Sequence, residues 1–351
     1  MFAVTQEVLG LRQGNLALAK LNRPMSLNAL TLNMCTILRS IYNKWDKDEK
    51  VKIKNNFEVV ACEGVGPKSF CAGGDIKALL QSVKEKDMHS VSQFFKSEYD
   101  LVYQISRLTK PYVAILDGIT MGGGAGLCVH GRFRIATENT LFSMPETALG
   151  LFPDVGGRLF NSGYFLPRLQ GQLGSYLALT GAHLKGVDVY YSGIATHYIS
   201  SGLLRLLKQE LAEANSDQVD SILDSFQKHV EDGYSLAPHL EEINKCFLGD
   251  NLEIILQQLE NESEWTNLQA NIIKRRCPVS CKLAVKILQD GLKMSLQKVL
   301  EMDYKLAMRC VKRNDFKEGV NATLINKGHL PAWDPAAYND ITIDMINEFF
   351  Y

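Results

Sequence analysis

Three short, nearly uninterrupted apolar runs, "FEVVACEG" ending at Gly64, "YVAIL" from Tyr112 and "FRIAT" from Phe133, stand between stretches long enough for helices. Runs of this length bounded by turn residues read as buried strands, and strands alternating with helical segments build βαβ units and an α/β core. The intervening segments carry the helical period. Leu27, Leu30, Met34, Ile37, Leu38, Ile41 and Trp45 recur at that spacing, as do Phe94, Phe95, Leu101, Val102, Ile105 and Leu108. A hairpin precedes them, because "EVLGLRQGNLALAKLNRP" alternates around Gln-Gly-Asn and stops at Pro24. "GGGAGLCVHG" reads as a short helix. Beyond residue 200 the strand-like runs give way to helix-length mixtures such as "NLEIILQQLE". The expected division is an α/β core over residues 1–200 and a mainly helical region over 201–351, with no internal repeat.

Composition narrows the class of partner. Lys and Arg number 38 against 39 Asp and Glu among 351 residues, so the basic footprint of a nucleic-acid binder is missing and an anionic ligand needs a local site. The eight cysteines lie scattered without CxxC pairs, as expected of free thiols in a reducing compartment. The most apolar window, "YVAILDGITMGGGAGLCV", contains Asp117 and a glycine cluster and reads as core, not as a membrane span. "MFAVTQEVLG" has neither the pattern of a transit peptide nor that of a signal peptide, so any targeting segment is absent or trimmed.

Two glycine-rich turns, "FCAGGDIKAL" and "ITMGGGAGL", each follow an apolar strand and lead into a helix-like stretch. Neither is a nucleotide loop: Leu127 and Val129 stand where a dinucleotide fingerprint needs glycine, and Pro67 in "GVGPKS" breaks a phosphate loop. Singly they are tight turns. Together, one backbone N–H from each can form an oxyanion hole. "MPETALGLFPDVGG" adds two isolated carboxylates, Glu146 and Asp154, inside an otherwise apolar or Gly/Pro stretch, where a turn-capping role competes with a chemical one. No G-x-S-x-G elbow occurs and the seven histidines show no close-spaced ligand pattern, which leaves serine-hydrolase and zinc chemistry without support. Cys71, beside the first loop, is a minor candidate nucleophile against the reading of a small buried residue.

Taken together, "LNRPMSLNALT", "FCAGGDIKAL", "GITMGGGAGL" and "MPETALGLFPDVGG" resemble the crotonase (enoyl-CoA hydratase/isomerase) superfamily. More narrowly they resemble its branch of 3-hydroxyacyl-CoA thioester hydrolases, a likeness continued in "YFLPRLQG", "LKGVDVYYSGIATHYI" and "NDFKEGVNATLINK". The resemblance implies a crotonase-type spiral of repeated βαβ units with a helical C-terminal region. It implies a thioester carbonyl held by the N–H groups of Gly74 and Gly123, catalytic acids Glu146 and Asp154, and Glu98 as a contact to the substrate's 3-hydroxyl. A solvated helix face is the competing reading for Glu98. Ala72, Asp75 and Ile76 are the positions implied to border the CoA portion. Hydratases of the superfamily carry one catalytic glutamate where Gly126 stands here, so the missing acid argues against water addition to a double bond.

The implied activity is hydrolysis of 3-hydroxyisobutyryl-CoA in valine catabolism, with 3-hydroxypropionyl-CoA as a second substrate. Glu146 would attack the carbonyl or act as general base, while Asp154 handles water and the leaving thiolate. No cofactor or metal is expected beyond the CoA of the substrate, and no nucleic-acid or membrane partner. The resemblance implies the mitochondrial matrix, with the cytoplasm as the alternative, and leaves a homo-oligomer open. Two alternatives are a hydratase or isomerase, and an impaired acyl-CoA-binding protein. The second arises because "RLFNS", Arg158–Ser162, interrupts the family pattern after "PDVGG". Asn321 and Asn326 are further departures, standing where the family tends to have Arg and Asp.

Overall fold

The computed structural model describes residues 6–47, 57–155, 165–166, 169–228, 233–290 and 294–351. Arg158–Ser162 lies outside these residues. The chain forms two compact units: Met1–Gly74 with Asp100–Phe142 and Leu184–Tyr234, and Asp75–Tyr99 with Ser143–His183 and Ser235–Tyr351.

Among the described residues ten strands form two sheets, all in the first unit but for Ser143 at the end of one strand. Strands β1 (Val8–Gln13), β2 (Leu16–Leu21), β3 (Val59–Gly64), β5 (Tyr112–Leu116), β7 (Phe133–Ala136) and β10 (His197–Tyr198) form the larger sheet in the order β1-β2-β3-β5-β7-β10. The smaller follows the order β4-β6-β8-β9, with β4 (Ser69–Cys71), β6 (Ile119–Met121), β8 (Leu141–Ser143) and β9 (Leu184–Lys185). From β3 to β8 the chain alternates between the sheets, one strand in each per turn, which is the expected spiral. Only the β1–β2 hairpin breaks the parallel pairing of the larger sheet.

Strand periodicity explains why this sheet has a dry face. Leu18, Ala61, Val113 and Phe133 are register partners in succession across four strands, and all are buried. With Leu16, Val59, Ile115 and Ile135 they pack against Leu207 and Leu211 of the helix Leu204–Glu213 and Val219 and Leu223 of the helix Val219–Phe226. Helix α1 (Leu32–Asp46) is capped by Thr31, whose side chain accepts from the Met34 N–H at 3.0 Å. It starts later than the apolar spacing implied. Leu27, at φ +52, ends a short turn, and Leu30 bridges to Gly74, so neither is helical.

The second unit is mainly helical. It contains α2 (Ile76–Lys84), the part of α3 (Met88–Ser106) up to Tyr99, and every helix from Leu240 onward. The end of the strands at Tyr198 matches the change of character near residue 200, but the compact units do not divide there. Residues 143–183, which carry both expected catalytic acids, cluster with the C-terminal helices because the acid-bearing turn is tied to them by close backbone contacts. Among the described residues no helix is long and apolar enough to cross a membrane.

Candidate functional site

In the first unit the two glycine loops are neighbours because the strands that launch them are parallel, with Ser69 opposite Ile119 and Cys71 opposite Thr120. Gly73 takes φ +98, and a Cβ there would lie 3.1 Å from the Met121 carbonyl oxygen and 3.5 Å from the Gly123 nitrogen. A Cβ on Gly124 would stand 2.1 Å from the Cys71 carbonyl oxygen, a distance no side chain tolerates. These glycines are therefore demanded by two backbones in contact. Beyond them lies α4 (Gly123–Gly126), entered through Gly122 at φ 50 and ψ −123. Leu30 N–H donates to the Gly73 carbonyl at 2.8 Å, which pins the first loop. Among the described residues the N–H groups of Gly74 and Gly123 donate to no acceptor, so both remain available to an oxyanion.

The surroundings assign simpler duties to other candidates. Ala72 N–H donates to the Leu27 carbonyl at 3.0 Å, and Asp75 caps α2 by accepting from the Ala78 N–H at 3.2 Å, just before Ile76 opens that helix. Cys71 has no exposed surface, as befits a packing residue.

In the second unit the acids converge from two elements. Glu146 opens a short 3-10 turn, Glu146–Ala148, whose carbonyl accepts from Leu149 and Leu151 N–H at 2.9 and 3.1 Å. That turn is gripped from the C-terminal side. A Cβ on Gly150 (φ +71) would meet Asp315 at 2.5 Å, and one on Gly319 would meet Leu149 at 2.5 Å, so the segment lies against the helix Asn314–Val320 backbone to backbone. Thr323 donates to the Ala148 carbonyl at 3.2 Å, and Cys277 N–H to that of Thr147 at 3.0 Å. Eight positions on from Glu146, Asp154 accepts from the Tyr99 hydroxyl, Oη to Oδ2 at 2.6 Å. Val155 beside it takes φ +58, a conformation a β-branched residue rarely adopts and one that marks a constrained site.

Glu98 sits on the buried stripe of α3 with Phe94, Phe95, Leu101, Val102 and Ile105 and is 3% exposed, so the solvated-face reading fails. Burial, then the charge of Asp154, holds its carboxyl well above the ordinary range. Glu146 is raised by burial first, then by Asp154 and Glu98, and its Oε2 is buried with no hydrogen-bond partner among the described residues. Burial pushes Asp154, which keeps part of its surface open, up to about 6 against the downward pull of the Tyr99 hydrogen bond. No cation pairs with any of the three among the described residues. Carboxyls held together without a counter-charge do not all ionise in the ordinary carboxyl range, and such a set can both take and return a proton. Structure thus groups Glu98, Glu146 and Asp154, and separately pairs the Gly74 and Gly123 loops. It adds Tyr99, which the sequence did not single out.

Such a combination defines a class. The chain belongs to the enoyl-CoA hydratase/isomerase family, whose model matches residues 16–350, and its fold is the crotonase spiral. Within that class it is similar to the mitochondrial 3-hydroxyisobutyryl-CoA hydrolases of Rattus norvegicus and Homo sapiens. Identities are 44% and 43%, over 99% and 98% of this chain and 89% and 88% of theirs. Among solved structures, a carnitinyl-CoA dehydratase from Mycobacterium thermoresistibile matches with a TM-score of 0.89 at 32% identity, covering 99% of this chain and 97% of that one. An enoyl-CoA hydratase from Rhodobacter sphaeroides matches with a TM-score of 0.86 at 30% identity, covering 98% and 97%.

Proposed function

We infer that the chain hydrolyses the thioester of 3-hydroxyisobutyryl-CoA to 3-hydroxyisobutyrate and CoA. The observation that carries this reading is the acid set of buried Glu146 and partly open Asp154, combined with Gly126 where a hydratase would supply its other acid. Near full-length identity to relatives named for this hydrolysis supports it. Their names also support a mitochondrial setting, and we propose the matrix as the compartment and valine breakdown as the context.

In the proposed reaction the N–H groups of Gly74 and Gly123 stabilise negative charge on the thioester oxygen, each such donor contributing about 2.7–4 kcal/mol. Ionised Glu146 either attacks the acyl carbon, expelling the thiolate to give a mixed anhydride that water then cleaves, or removes a proton from water as that water attacks. Both routes break the C–S bond, add the elements of water and return a proton to the CoA sulfur. Asp154 serves water and that proton, and Glu98 accepts from the substrate's 3-hydroxyl. Ala72, Asp75 and Ile76 border the CoA portion. CoA enters as part of the substrate, and no separate cofactor is proposed.

The test is release of free thiol across a panel of acyl-CoA thioesters. 3-Hydroxyisobutyryl-CoA should lead, with 3-hydroxypropionyl-CoA second; a panel without thiol release would overturn the reading. A second reading, hydration or dehydration of the acyl chain, draws on the similarity to the solved carnitinyl-CoA dehydratase and enoyl-CoA hydratase. Loss of enoyl absorbance from crotonyl-CoA at a rate matching hydrolysis would favour it. Gly126 predicts a far slower rate.

A further inference from the structure

Asp154 must keep a defined orientation and an accessible ionised form in surroundings that oppose both. The groups facing it are Glu98 and Tyr99 from α3, Glu146 from its turn, and Cys310 of the helix Leu296–Cys310, while Asp303 of that helix faces Tyr99. Apart from a backbone contact of its own, the described residue that bonds to its carboxylate is Tyr99, Oη to Oδ2 at 2.6 Å. Tyr99 is itself fixed. Its ring is 3% exposed and lies 5.9 Å from that of Phe95, centroid to centroid, at 32°. Burial and the neighbouring acids raise its phenol well above the ordinary value, so it stays protonated and remains a donor. Helix α3 is tied down near its start by a Ser92–Tyr304 hydroxyl contact of 2.7 Å.

We propose that Tyr99 is a positioning residue of the hydrolysis: its hydroxyl holds Oδ2 of Asp154, fixes the rotation of that carboxylate, and leaves Oδ1 to serve water and the departing thiolate. The role rests on the hydrolase reading above. A hydrogen bond to a charged acceptor contributes about 1.5–3 kcal/mol, so its loss is a change of roughly ten- to a hundredfold in an equilibrium or rate.

Tyr99→Phe keeps the ring and removes only the hydroxyl. Thiol release from 3-hydroxyisobutyryl-CoA by this variant should show kcat lowered about tenfold or more, with KM changed only a fewfold. The acid limb of the kcat/KM profile should move up by about one pH unit, because the bond that favours ionised Asp154 is gone. In an Asp154→Asn background the same substitution should cost nothing further, the signature of two groups acting as one. A purely structural tyrosine would lower the melting temperature and leave the acid limb in place. An active parent whose Tyr99→Phe variant matches it in kcat and acid limb, or one whose losses add independently to those of Asp154→Asn, overturns the proposal alone. A parent that releases no thiol overturns the hydrolase reading, and this role with it.

Discussion

Replacing Glu146 by Gln keeps the shape of the side chain and removes its ionisation, which should abolish chemistry and relieve the fold. General-base action contributes about 10²–10⁴-fold, or roughly 2.7–5.4 kcal/mol of barrier, so turnover should fall by at least that range. The effect on stability follows from the raised carboxyl. Its folded-state pKa lies above the ordinary value of 4.5, so the folded protein holds the proton more tightly than the unfolded chain. That contribution is complete below the ordinary value and is lost as pH rises through the folded one, at about 1.36 kcal/mol per unit of separation. Glutamine has no proton to lose, and Asp154 and Glu98 then face a neutral neighbour. The variant should therefore gain on the parent in melting temperature as pH is raised from about 4.5 toward 8, while thiol release disappears. Parallel melting series and a thiol-capture assay read both quantities. Turnover within a fewfold of the parent, or a melting difference that does not grow with pH, would refute the reasoning.

The kcat/KM for hydrolysis should climb with pH through about 6, where burial has placed Asp154; a profile flat between about pH 5 and pH 8 would contradict this. Gly150→Ala should cost about 1–3 kcal/mol from overpacking against Asp315, with added strain from φ +71, and should lower activity by displacing the Glu146 turn; an unchanged melting temperature would show that the two backbones are not tightly opposed. Deleting Arg158–Ser162, which restores the uninterrupted family pattern after Gly157, should speed thiol release, since misplacing a catalytic group by about 1 Å can cost 10²-fold; a shortened, folded chain no faster than the parent would show the insertion to be harmless.

Much of the fold was legible because strand burial writes itself into composition. β3, β5 and β7 are short apolar runs, and the hairpin turn at Gly14 is marked by its residues. The smaller sheet was not legible. Its strands are two or three residues long, too short for any period to register, and they exist because the spiral passes there. Glu98 lay within reach of sequence: at the spacing of Phe94, Phe95, Leu101 and Val102, a carboxylate on an apolar stripe is a buried acid in need of a reason. Tyr99 offered no such signal, since its bond to Asp154 spans 55 positions and depends on where two separate segments meet.

The same dependence explains why the acids proposed as catalytic do not belong to an N-terminal core. A carboxylate such as Glu146, buried with an unpartnered oxygen, is costly and stays in place only if its backbone is held from outside. The holding groups come from far along the chain: the backbone at Asp315, Gly319 against Leu149, the Thr323 hydroxyl and the Cys277 N–H. Each acts on main-chain atoms of residues 147–150, so the grip constrains where the turn runs without supplying a counter-charge that would quiet the acid. Had Arg or Lys been used as the anchor, Glu146 would be drawn back toward an ordinary carboxyl and would hold its proton less tightly. In the proposed reaction the C-terminal segments around Cys277, Asp315, Gly319 and Thr323 thus fix the geometry of the turn while leaving the electrostatics of the acid set unrelieved.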